Sequence, residues 1–266
     1  MNADSVSGPR RGSCPPARGR APNVILKEVV PGVHAIQLGV VNAYLIEGHD
    51  LTLVDTGSPG SGAEIMRAVQ MLGRSPREIA HILVTHCQPD HSGGLAEIKR
   101  ISGAAAYMHP LSAAVVRGEE PGRKLSPAPG FINRVLTGAF IRQPPWKIPW
   151  AHVEHEVLDS DELDCTGKHI TAVHAPGHCC GQLAFLYHYR PANGALLFAA
   201  DTASNMRKLG LSIAYEDLAC GLRSLAKLSR LRFDVACFGH GDPLIGQASE
   251  RFNEKWGTAN GAPTCD

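Results

Sequence analysis

Between Thr85 and Gly94 the chain reads Thr-His-Cys-Gln-Pro-Asp-His-Ser-Gly-Gly. His86, Gln88, Asp90 and His91 set imidazole, amide and carboxylate groups within six residues of one another. Imidazole is the commonest metal ligand and the side chain best suited to proton transfer near neutral pH. The apolar run His81–Thr85 leads into this cluster and a helical pattern leaves it, so the cluster stands where a buried strand gives way to a helix. On extended chain, residues two apart point the same way. His86, Gln88 and Asp90 are therefore expected to converge, with His91 joining them as the chain turns. Ser92-Gly93-Gly94 allows tight passage at the helix start, and its N–H groups are placed to polarise a substrate.

Three more polar residues follow the same grammar. His178 comes just after a strand in Ala175-Pro176-Gly177-His178, Asp201 ends the run Leu196–Ala200, and His240 lies in Phe238-Gly239-His240-Gly241. Singly, each reads as a packing residue or a turn cap. Together, polar groups at strand ends beside glycine or another turn residue can meet on one rim of a sheet sandwich. Of the 13 His, His109 and His152 flank a possible lid, and the rest outside the motifs read as surface or packing residues. The chain lacks the G-x-S-x-G nucleophile elbow and the phosphate-cradling P-loop.

The elements around these groups come from periodicity. Strands are expected at Ile25–Val30, Val33–Leu38, Ala43–Glu47 and Leu51–Val54, then a helix over Gly62–Leu72. The strand His81–Thr85, a helix at Leu95–Ile101 and the strand Ala104–Met108 follow. Residues 109–152 are proline-rich and lid-like, with helical pieces at Leu111–Val116 and Phe131–Phe140, where Phe131, Leu136 and Phe140 are expected to pack the helix. The basic and aromatic residues here, Arg123, Trp146 and Trp150 among them, suit a mixed pocket, although solvated charge is the simpler reading. Strands resume at His155–Leu158, His169–His174, Gln182–His188 and Ala195–Ala200. A helix over Tyr215–Ser229 carries Leu218, Leu222, Leu225 and Leu228 as one stripe, and the strand Phe233–Phe238 and helix Ala248–Trp256 close the pattern. Strands followed by helices, twice over, argue for two packed sheets with helices outside.

Composition bounds the function. At 266 residues with 44% apolar and 19% charged residues, the chain can bury a sizeable core and is too apolar for disorder. A net charge of +1 argues against nucleic acid as partner, and no apolar run reaches membrane-spanning length. None of the eight Cys forms C-x-x-C. With no secretory signal at the N-terminus, they read as reduced, mostly buried thiols of a cytoplasmic protein. Residues 1–23 and 259–266 read as flexible tails around a domain spanning 24–258.

The run Thr85–Gly94, with Asp55-Thr56-Gly57 before it and His178, Asp201 and His240 after it, resembles the metallo-β-lactamase-fold hydrolases. The family motif is Thr-His-x-His-x-Asp-His, and Gln88 stands in place of its second His. The resemblance covers residues 24 to about 245. It is specific for the fold, an α/β four-layer αββα sandwich, and much less so for substrate. It implies two adjacent metal sites: His86, Gln88 and His178 at the first, Asp90, His91 and His240 at the second, with Asp201 bridging. Asp55 falls outside the ligand set, as a carboxylate supporting it or its turn. Zinc in one or two copies is the implied cofactor, with iron or manganese as alternatives. The implied reaction is hydrolysis of an ester, thioester, lactone or amide by metal-bound hydroxide, which Asp90 would orient.

An amide oxygen is a weaker zinc donor than imidazole, so the first site is expected to hold metal loosely. Two dications, two aspartates and a hydroxide sum to about +1, and one dication gives about −1, so the ion count sets the sign of the centre. Hydroxyacylglutathione hydrolases and acyl-homoserine lactonases are the most similar in motif. A true β-lactamase is less expected without an export signal. An iron oxidoreductase or dioxygenase of the same fold, or a non-catalytic binding member with a degraded first site, are the rivals. The expected partner is a small-molecule substrate.

Overall fold

Strand alternation decides the layering of the molecule, which a computed structural model describes over residues 24–165, 167–190 and 194–258. The two tails expected at 1–23 and 259–266 lie outside the described residues. The first strands are β1 (Ile25–Val30), β2 (Val33–Leu38), β3 (Val41–Glu47), β4 (Leu51–Val54), β5 (Ile79–Leu83) and β6 (Ala105–Met108). Along β3, Val41, Ala43 and Leu45 enter one apolar cluster, while Tyr44 and Ile46 enter another. Both faces are apolar, so the sheet must be covered twice. The short strands β7 (Ser126–Pro127) and β8 (His155–Glu156) follow, and β8 completes a seven-stranded sheet in the order β1-β2-β3-β4-β5-β6-β8.

The second half repeats the device. Its strands are β9 (Glu162–Cys165), β10 (Lys168–His174), β11 (Leu183–Arg190), β12 (Gly194–Ala200), β13 (Ala214–Tyr215), β14 (Val235–Phe238) and β15 (Leu244–Ile245). Six of them form a sheet in the order β15-β14-β12-β11-β10-β9, and β13 pairs with β7. Between the sheets, Tyr44, Ile46, Val54 and Leu83 pack with Phe185, Leu196, Phe198 and Cys237. Helices α1 (Gly62–Met71), α2 (Pro89–Ser92), α3 (Leu95–Ser102) and α4 (Pro110–Val116) belong to the first half. Ile65, Val69, Ile98 and Val116 from α1, α3 and α4 cover the outer face of the first sheet. After α5 (Phe131–Phe140), the helices α6 (Leu218–Leu228) and α7 (Ala248–Trp256) cover the outer face of the second through Leu225, Leu228, Phe252 and Trp256. The result is the expected helix-sheet-sheet-helix sandwich.

Three local expectations need correction. The short helix α2 begins at Pro89, so Asp90 and His91 sit on a helical turn and not on the extended alternation of His86 and Gln88. Of the expected stripe on α6, Leu225 and Leu228 are buried beside Gly221 and Ser224, but Leu222 is 38% exposed and Leu218 half-buried, so only part of the stripe packs. Close backbone approach goes with this: a Cβ on Gly177 would lie 2.2 Å from the Gly221 nitrogen. Finally, α5 meets the body through buried Thr137, whose hydroxyl donates to the Ile213 carbonyl. Phe131 and Phe140 are 79% and 71% exposed, so they do not pack their helix. Among the described residues no helix is long and apolar enough to cross a membrane.

Candidate metal centre

Five strand ends supply the centre. β4 and β5 run parallel, as do β12 and β14, so their C-terminal ends open on shared rims. Asp55 follows β4, His86 follows β5, His178 follows β10, Asp201 follows β12 and His240 follows β14. Asp55 and Ala200, at two of these ends, adopt φ values of 61° and 48°. Left-handed backbone at a non-glycine residue is strained and survives where the surroundings over-determine it.

Hydrogen bonds fix which nitrogen each imidazole offers. Asp55 accepts from the Thr85 N–H at 2.8 Å, and its other oxygen lies 2.9 Å from His91 Nδ1. A carboxylate only accepts, so His91 donates through Nδ1. The Thr85 hydroxyl donates to Asp55 and takes the His86 Nδ1–H at 3.0 Å. His178 Nδ1 donates to the Ala214 carbonyl at 2.7 Å, and His240 Nδ1 to the Val40 carbonyl at 2.8 Å. All four rings therefore turn Nε2 toward the cluster, the arrangement in which a partner on one nitrogen aims the other at a cation.

All seven residues singled out from the sequence meet there. His91 Nε2 lies 3.8 Å from Asp90 and 3.7 Å from Asp201, and His240 Nε2 lies 3.4 Å and 3.2 Å from the same two carboxylates. His178 Nε2 is 3.6 Å from Asp201, and the His86 ring centre is 4.1 Å from that of His91. Two groups of three are compact enough for one ion, Asp90–His91–His240 and His86–His91–Asp201. The first is the second site expected from the sequence. In the other expected site, the Gln88 amide nitrogen sits 2.8 Å from His178 Nε2, so those two side chains are engaged with each other.

The donor atoms fit a divalent cation. His86 Nε2, His91 Nε2 and Asp201 Oδ1 are buried with no hydrogen-bond partner among the described residues. Such orphaned atoms are costly unless something satisfies them. The electrostatics agree. Burial opposes charge on His91, but Asp201, Asp90 and Asp55 outweigh it and lift the ring to about 9. Burial likewise opposes charge on His240, where Asp201 and Asp90 again prevail and raise it. His86 has no such surplus of carboxylate, and burial followed by His91 pushes it down. The negative potential is therefore concentrated on the Asp90–His91–Asp201–His240 side.

Several positioning residues escaped the sequence reading. A Cβ on Gly239 would lie 2.1 Å from Asp201 Oδ1 and 2.5 Å from His91 Cε1, so this position keeps space for both. Asn42 and Tyr44 donate to the Phe238 carbonyl, and Asn42 also to that of Gly241, tying the His240 loop to the first sheet. Only the glycine beside His240 could have signalled this, and it reads simply as a turn. Gly94 serves the tight passage expected of it, since a Cβ there would meet the Thr56 carbonyl oxygen at 2.3 Å. Cys87 is buried against Cys179, and His109 caps α4 and stacks on His174. His152 is exposed.

A family model described as Metallo-beta-lactamase superfamily matches residues 36–240. The chain is 29% identical over 240 residues to the probable metallo-hydrolase YflN of Bacillus subtilis, covering 83% of this chain and 88% of that protein. It is 26% identical to the thioesterase pkgB of Emericella nidulans, over 79% of this chain and 48% of that one. The chain spans about half the length of several curated relatives, this thioesterase included. Among solved structures, a metallo-beta-lactamase of Cronobacter sakazakii with a HARLDQ motif, in a mutant form, superposes with a TM-score of 0.64 at 22% identity, covering 81% of this chain and 78% of that one.

Proposed function

The chain belongs to the metallo-beta-lactamase superfamily, whose members are typically metal-dependent hydrolases, and we propose that it hydrolyses an ester, thioester, lactone or amide of a small-molecule substrate. The observation that carries this reading is the cage formed by Asp90, His91, Asp201 and His240, with four N···O edges of 3.2 to 3.8 Å. Ligands about 2.0–2.1 Å from a tetrahedral zinc ion stand about 3.4 Å apart, which is the size of this cage. Asp90, His91, Asp201 and His240 would hold the ion, with His86 beside them and Gln88 and His178 as the weaker set. Bound there, zinc, iron or manganese supplies Lewis acidity, which readies water near neutral pH and polarises the carbonyl oxygen under attack.

The chain's own residues supply the rest. Asp55 holds the His91 ring by its Nδ1–H, and the Val40 carbonyl does the same for His240. The Asp90 side chain, 35% exposed, is the carboxylate on the open side, where it accepts a hydrogen bond from the attacking water and orients it. A thioesterase among the relatives supports an acyl substrate, and a probable metallo-hydrolase supports metal-dependent hydrolysis. Cytoplasmic residence belongs to the same proposal.

The test is elemental analysis beside a panel of esters, thioesters, lactones and amides, with zinc, manganese or iron(II) added. The proposal expects turnover of at least one class that disappears with chelator and in Asp201→Asn. Silence across the panel with metal bound would leave a binding scaffold, and turnover that consumes dioxygen would make the protein an oxidoreductase.

A further inference from the structure

The residues just beyond His178 gather a different kind of donor set. Cys179 Sγ, Cys180 Sγ and a Glu216 carboxylate oxygen all lie within 4.8 Å of one another, and none belongs to the histidine–aspartate cage. We propose that Cys179, Cys180 and Glu216 form a second cation site, selective for a thiophilic ion such as zinc or cadmium. Three observations support it.

The carboxylate is held in place: the Cys180 N–H donates to Glu216 Oε2 at 2.8 Å, and the Glu216 N–H donates to the His178 carbonyl at 3.2 Å. Both sulfurs lie within 4.8 Å of an oxygen of that same carboxylate. A third sulfur stands behind the set, with Cys87 Sγ 3.6 Å from Cys179 Sγ. Two thiolates bonded at about 2.3 Å to a tetrahedral ion stand about 3.8 Å apart, so the donors close on an ion with small side-chain rotations. Two sulfurs with one carboxylate favour zinc, cadmium or copper(I) over magnesium or calcium. On binding, a dication takes the place of the two thiol protons, which pass to buffer; the two thiolates neutralise the ion, and the carboxylate leaves the set at −1, as before binding. The site is partly open, because Cys180 and Glu216 are only half-buried. Cys179 therefore has a role beyond filling space.

Cadmium is the probe, because a thiolate–cadmium bond has its own ultraviolet charge-transfer absorption. Full-length protein preloaded with zinc is titrated with cadmium, and absorbance and bound cadmium are followed together. The proposal expects a saturable thiolate band with one equivalent. Cys180→Ser and Glu216→Gln should each weaken that binding roughly tenfold or more. His240→Ala, which cripples the histidine–aspartate cage, should leave the band in place. Circular dichroism confirms that each variant is folded, and Cys180 is chosen over fully buried Cys179 for that reason. No band in folded wild-type protein overturns the site, as does a band unchanged by both substitutions or one lost with His240→Ala. None of these outcomes bears on whether the protein hydrolyses acyl substrates.

Discussion

Two sides of one cluster are prepared differently. On one side, Asp90, His91, Asp201 and His240 bring two carboxylates to two imidazoles at 3.2 to 3.8 Å. On the other, His86, Gln88 and His178 bring no carboxylate of their own, and the Gln88 amide already holds His178 Nε2. The first side pulls cations, protons included, into a buried place. The second offers neutral donors, one of them occupied. One half of the cluster thus carries both carboxylates, and the other carries neutral donors, two of them already paired with each other.

The largest effect should come from the residue both sides share. Asp201→Ala removes the carboxylate facing His91, His178 and His240. Bound metal per chain should fall toward zero, and hydrolysis should drop by more than the ~10–100-fold that loss of an outer partner costs. Elemental analysis and initial rates check it, and metal retained in this variant would break the comparison. Next comes Gln88→His, which frees His178 Nε2 and adds an imidazole. Metal content should rise from about one ion to about two per chain by the same analysis, the two-ion arrangement being an established form of such centres. An unchanged count would show that the weak half is weak for another reason.

A smaller effect concerns pH. In metal-free protein the folded value for His91, about 9, lies above the ordinary imidazole value near 6.5. Its contribution to stability is therefore complete below about pH 6.5 and is lost as pH rises through about 9. Thermal melts of metal-free protein should show Tm falling across that window, and metal loading should flatten the slope. The smallest effect lies away from the cluster. Burial, then the neighbouring His174, lowers His109 to about 4. That folded value is below the unfolded one, so stability should fall as pH drops from about 6.5 toward 4. His109→Asn keeps a helix-capping side chain and should reduce that slope in the same melts.

The fold was legible because strands buried on both faces, such as β3 and β12, read as near-continuous apolar runs, and β4 has the bounds that its short apolar run assigns it. The candidate site was legible because His86, Asp201 and the glycine-flanked His178 and His240 each follow a strand end, a local pattern. What escaped depends on distant parts of the chain. The role of Gly239 requires knowing that Asp201 lies 2.1 Å from where its Cβ would be. Which part of α6 packs, with Leu225 and Leu228 in and Leu222 out, goes with the close approach of Gly177 and Tyr215 to Gly221. Asn42 and Tyr44 read as ordinary strand residues until the Phe238 carbonyl, almost two hundred positions on, is seen beside them.

The short pairing of β7 with β13 carries a mechanical consequence. Ala214 sits in that pairing, and its carbonyl holds the His178 ring. The same strap receives α5 through Thr137 and the Ile213 carbonyl. A displacement of α5, with its outward phenylalanines, would therefore pull on the strap that tethers the His178 imidazole.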